Sequence, residues 1–167
     1  SKAENPTRMR DLEARWTQMM ATLANVKPDR FLVAFWTSRH GRIRSTDIYD
    51  AFKRQYDSAE KAIACSIDMV GASEQYAALA SGDDPVWAPF SPQSRNRVRN
   101  LSVLGGTPIH PVLLAGLAKM EVAEVERLLK LLEVLIVRYQ VIVSGNTGRL
   151  ETTCATLARN IFAGKVK

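Results

Sequence analysis

Two cysteines and two histidines are the only thiol and imidazole groups in 167 residues. Cys65 and Cys154 stand far apart without CxxC spacing, and His40 and His110 are distant from both. The ligand clusters that zinc or a similar metal needs are therefore not written into the chain. Neither histidine accompanies a GxSxG elbow, so a nucleophile held against a base has no support. A disulfide framework is equally unsupported, and the two cysteines read as small core residues in a reducing cytoplasm. Long apolar runs are missing too. The most apolar stretch, Leu128 to Val143, is interrupted by Lys130, Glu133, Arg138 and Gln140, and no signal peptide opens the chain, so no membrane association is expected. Internal repeats, low-complexity tracts and alternating strand patterns are absent. Gly105-Gly106-Thr107 lacks the GxxxxGK[ST] spacing of a phosphate cradle and reads as a helix stop followed by a cap. Asp83-Asp84, in a turn before Pro85, suits local hydrogen bonding rather than acid–base work. The expectation is a segment with no catalytic, cofactor-binding or metal residues of its own.

What is present is a balanced composition: 46% hydrophobic and 24% charged residues, the mixture of a chain that folds. The length suits one domain, residues 1–167, with a proper core. A net charge of +6 and a pI near 9.6 favour polyanions or acidic partner surfaces, although Asp47, Asp50, Asp57 and Glu60 are threaded among the basic residues. The chain opens on Ser1 without an initiator methionine, as expected of a piece of a longer multidomain protein. Processing of a natural start leaves the same end.

The hydrophobic spacing is helical from end to end and predicts an all-α, irregular bundle of about seven or eight helices around a central apolar helix. Asn5 or Thr7 caps a first helix with Met9, Leu12, Trp16, Met19, Met20 and Leu23 as its core stripe. Lys27-Pro28-Asp29 restarts the chain into a short buried helix through Phe31, Leu32, Phe35 and Trp36. Ser38 to Arg44 has no apolar period and reads as a basic connection. Ser45 or Thr46 caps a helix carrying Ile48 to Tyr56, and Ser58 opens another through Ile63 and Tyr76 to Leu79, with a bend expected at Gly71. Trp87 and Phe90 pin the loop between Ser81 and Ser91 to the body. Ser91-Pro92 and Thr107-Pro108 each start a helix. The span from Glu121 to Val143, roughly 34 Å if helical, is expected to be the central helix. Gly145 to Gly148 breaks it, and Leu150 to Phe162 returns antiparallel to it.

Six arginines are candidate contacts with DNA or a neighbouring domain. Arg39, Arg42 and Arg44 concentrate charge in the basic connection, and Arg95, Arg97 and Arg99 fan across one side of a helix. Arg138 interrupts the apolar helix and, if buried, needs a partner, for which Glu151 beyond the following turn is the candidate structural ion pair.

In order along the chain, these pieces resemble the helical middle region of the GmrSD-type, modification-dependent restriction endonucleases. The resemblance rests on a leading helix with Trp16, then Phe31-Leu32, Trp36-Thr37-Ser38-Arg39-His40-Gly41-Arg42 and Ile48-Tyr49-Asp50-Ala51-Phe52-Lys53. It continues with Tyr76, the Trp87 loop, Leu101 to Leu104, the helix with Arg138, and Leu150-Glu151. Members of that family place a ParB/sulfiredoxin-like nucleotide-hydrolysing domain with a DGQQR-like motif before this region and an HNH nuclease after it. Neither motif occurs here. The resemblance implies a scaffold coupling an NTPase to a nuclease in phage defence against modified foreign DNA, with the flanking domains as partners and NTP and a divalent metal bound by the parent outside this segment. Two alternatives remain: a stand-alone basic helical module binding nucleic acid, and an adaptor recognising a protein partner through Trp87 and Phe90.

Overall fold

The structure, a computed structural model, describes residues 4–24, 26–142 and 147–166, with side chains described for 8–24, 26–139 and 148–166. Among the described residues it is all α-helical, with no strand. The helices are α1 (Glu4–Thr22), α2 (Pro28–His40), α3 (Ile48–Gln55), α4 (Ala59–Ala78), α5 (Pro92–Val103), α6 (His110–Lys119), α7 (Val122–Ile136) and α8 (Thr147–Phe162). Short 3-10 turns, Ser45–Asp47, Pro85–Trp87 and Thr107–Ile109, lead into or between them, and α7 runs on into a π-helical turn at Val137–Ile142. The capping side chains expected at Asn5 or Thr7 and the break at Gly145-Asn146 lie outside the described residues. Thr147 and Gly148 already belong to α8.

Local chemistry explains the starts and stops. Ser58 accepts a hydrogen bond from the Lys61 amide (3.3 Å) and Ser91 from the Ser94 amide (3.3 Å), each satisfying an orphan donor of a first turn. Pro28 and Pro92 occupy first-turn positions where a missing N–H costs nothing. The Glu124 carboxylate reaches back to the Glu121 amide at 3.0 Å to open α7. At the far end of α2 the chain turns at Gly41 with φ +102°, a conformation that a side chain would strain. Gly71 sits on the exposed side of α4, which continues through it from Ala59 to Ala78.

The centre of the bundle is α6. Pro111 to Gly116 are buried without interruption, and α6 packs against α2, α4, α7 and α8. The central helix is therefore not the longer apolar span predicted from Glu121 onward. α7 is amphipathic, burying Val125, Leu128, Leu129, Leu132 and Ile136 while Leu131 and Val134 face outward. α8 packs on α6 and α2 instead of forming a hairpin with α7. Continuous hydrophobicity signals burial only when neighbours surround the whole helix, and α7 has α5 on one side and α6 on another.

One hydrophobic core runs through the layers, from Met19 and Leu23 on α1, through Phe31 and Phe35 on α2 and Leu114 on α6, to Leu129 on α7 and Ile161 on α8. Trp87 is fully buried, donates its indole N–H to the Ala78 carbonyl at 2.8 Å, and meets Phe90 edge-on at 5.1 Å. The loop is pinned as expected, and for the same reason Trp87 and Phe90 are not available as anchors for a protein partner. The first helix departs from its predicted stripe. Met19 and Leu23 are core, but Met9 and Trp16 are half-exposed, because α1 is covered chiefly by α4.

Candidate functional site

Two places collect chemistry-bearing side chains. One is the joint at the end of α2; the other is a cleft between α2, α6 and α8.

The joint is organised by Arg39. The expected connection from Ser38 to Arg44 is helical as far as His40, and only residues 41–44 are non-helical. Ser38 is buried, its hydroxyl donating to the Phe35 carbonyl at 2.7 Å. Arg39, read from sequence as a surface cation, turns inward with its side chain only 4% exposed. Its Nε and Nη2 donate to both carboxylate oxygens of Asp68 on α4, at 2.7 and 2.8 Å, and Nη1 donates to the Ser38 hydroxyl at 2.6 Å. The guanidinium lies 3.8 Å from the Phe35 ring centre and 4.7 Å from that of Phe162 on α8, whose ring also meets Lys119 at 4.6 Å. A bidentate carboxylate and two aromatic faces make this charge tolerable inside the bundle. Arg39 is therefore a structural residue and not a contact for DNA.

Beside it, the His40 ring meets Trp36 at a tilt, with centroids 4.4 Å apart, and shares a hydrogen bond of 3.2 Å with the Tyr56 hydroxyl. Burial, then the charge of Arg39, pull the His40 pKa down, and burial raises the Tyr56 hydroxyl above its ordinary range. Cys65, next to Tyr56, is pushed up to about 11 by burial and stays a thiol, not the thiolate a nucleophile requires. Cys154 is likewise raised to about 11 by burial, and both cysteines are free.

Of the other arginines, Arg42 pairs with Glu151 on α8 at 3.0 Å. This removes the expected Arg138–Glu151 pair: Glu151 is bound to another residue, and Arg138, on the π-helical turn, is exposed and needs no buried counter-charge. Arg95, Arg97 and Arg99 fasten α5 to its surroundings. Arg95 donates to the Phe90 carbonyl at 3.2 Å, Arg97 pairs with Glu133 on α7 at 3.4 Å, and Arg99 bonds Asp83 and Asn96. Of the six candidate contact arginines, Arg44 alone has no hydrogen bond or ion pair from its side chain among the described residues.

The cleft has a volume of about 570 Å³. Lys27 at the N-cap of α2 and Asp29 and Arg30 in its first turn line the cleft, with Arg42 from the linker, Ser45 from the 3-10 turn, and His110 at the start of α6. His110 Nδ1 lies 3.4 Å from the Tyr76 hydroxyl on α4, with the rings edge-on. Burial, then the charge of Arg30, push the His110 pKa down to about 4, and burial raises that of Tyr76. Both groups are neutral at pH 7. The cleft thus combines neutral hydrogen-bonding groups at its floor with fixed cations at its rim. Among the described residues no group of three or more histidines, cysteines or carboxylates converges to hold a metal ion, and no helix is long and apolar enough to cross a membrane.

Sequence reasoning missed Asp68, Lys27, Arg30 and Tyr76. Asp68 lies within a helix whose apolar period is its only sequence signal, and Lys27-Pro28-Asp29 carries only the signal of a helix start. No local signal joins residues brought together by the packing of separate helices. No family model, curated protein or solved structure matches this chain.

Proposed function

We propose that the chain is the helical coupling region of a GmrSD-like restriction endonuclease of the cytoplasm, linking an NTP-hydrolysing domain to an HNH nuclease that cuts modified foreign DNA. The observation that carries this reading is the joint built by residues 39–42. The same run on which the sequence resemblance rests ties α2 to α4 through Arg39–Asp68, and to α8 through Phe162 and Arg42–Glu151. A coupler must transmit displacement between its ends, and a buried arginine held between two rings and bidentate to a half-exposed carboxylate keeps three helices moving together. The parent's NTP and divalent metal belong, on this reading, to the flanking domains.

The engagement of Arg39, Arg95, Arg97 and Arg99 within the fold favours a scaffold over a stand-alone nucleic-acid-binding module. The deciding experiment reads the source gene on both sides of the segment. A DGQQR-like motif upstream and an HNH pattern downstream support the proposal; a reading frame confined to this segment ends it.

A further inference from the structure

We infer that the cleft between α2, α6 and α8 binds a small organic anion, a phosphate or carboxylate group carried on a compact apolar body. This goes beyond the coupling role and holds whatever the parent protein is.

The charge arrangement comes first. Arg42 and Glu151, both lining the cleft, pair at 3.0 Å and neutralise each other. That leaves Lys27, Arg30 and the single carboxylate of Asp29 as the other charged groups of the lining, and neither cation has an ion-pair partner among the described residues. Arg30, exposed at the rim, lines the same cleft as His110 and Tyr76. An anion at this position receives a fork of N–H donors from Arg30 and a second cation from Lys27. α2 also starts here without a side-chain cap, so the positive end of its dipole adds to the same field.

The size and walls come second. About 570 Å³ is in the range of pockets that enclose a small organic ligand, and far more than an inorganic anion fills. Val33 and Ala34 on α2, Ile43 on the linker, Pro108 and Pro111 around the start of α6, and Ala155 on α8 offer an apolar lining. The neutral His110–Tyr76 pair supplies polar contact without adding charge.

Amide NMR of the intact chain titrated with phenyl phosphate, benzoate and inorganic phosphate tests the assignment. Expected are saturable shifts at residues 27–34, 41–45 and 107–111, with phenyl phosphate binding more tightly than inorganic phosphate. Arg30→Ala, an exposed rim change, should weaken binding at least about tenfold while Arg44→Ala, outside the cleft, leaves it unchanged. Phenyl phosphate alone assigns a phosphate site; phenyl phosphate and benzoate together assign a general anion site. Absence of saturable shifts with every probe, shifts centred on α5, equal binding in Arg30→Ala, or inorganic phosphate binding as tightly as phenyl phosphate would overturn the inference.

Discussion

Arg39 shows how a single residue's role depends on its counter-charge. Its side chain is 4% exposed whereas that of Asp68 is 48% exposed, so the two halves of the pair are not equivalent. Removing the carboxylate strands a buried cation; removing the cation leaves a carboxylate that water can solvate. Asp68→Ala should therefore cost roughly 3 kcal/mol in urea unfolding, and Arg39→Met, which keeps the stem against Phe35 and Phe162, on the order of 1–2 kcal/mol. The reverse order would mean that the stacking, not the ion pair, carries the joint. His110 makes a second prediction at this scale. Its folded pKa of about 4 lies below the ordinary value of 6.5. Above pH ~6.5 the ring is neutral folded and unfolded, and contributes no pH dependence. As pH falls from ~6.5 to ~4 the unfolded chain takes up the proton first, so stability drops by up to about 3 kcal/mol and then levels. His40 is shifted in the same direction. His110→Gln should flatten the melting-temperature profile over that window; an unchanged slope would place the acid sensitivity elsewhere.

Between elements, close approach is the controlling feature. A Cβ on Gly82 would lie 2.3 Å from the Arg95 carbonyl oxygen, a backbone atom of α5 that cannot step aside alone. At Gly116 the corresponding neighbour is a Leu128 methyl at 2.9 Å, the far end of a flexible side chain. Gly82→Ala should cost about 1–3 kcal/mol by displacing the loop from α5. Gly116→Ala should be closer to neutral, since the gain in helix propensity, about 1 kcal/mol, offsets the repacking of Leu128. Equal losses in thermal melts would show that α7 cannot shift its Leu128 side chain. The loop itself was legible before folding: aromatic residues flanked by Gly and Pro predicted attachment to the body, and Trp87 provides it. The arginines of α5 were not legible, because their partners Phe90, Glu133 and Asp83 belong to other segments.

For the molecule as a whole, the arrangement around α6 sets the order in which it opens. Its backbone is sealed by α2, α4, α7 and α8, whereas α1 leans chiefly on α4 and carries half-exposed Met9 and Trp16. Native-state hydrogen exchange should find the slowest amides at Leu113 to Ala115, opening only with global unfolding, and faster exchange along the first turns of α1. Slowest exchange in α7 would restore the long apolar helix to the structural centre. The net charge of +6 is a property of this same whole. Several arginines that contribute to it are already spent on holding helices together, so the sum says less about polyanion binding than their number implies.

Periodicity, caps and composition by themselves determined an all-α chain, most helix boundaries, and the burial of Phe31, Phe35 and Trp87, because these follow from local geometry and from the aversion of apolar surface to water. Tertiary structure alone decided that α6 is the centre, that Arg39 points inward, that Glu151 belongs to Arg42, and that Lys27, Arg30, Tyr76 and His110 share a cleft. Each depends on which distant helix arrives as a neighbour. A charged side chain carries no sign of its partner until packing brings the opposite charge within a few ångströms.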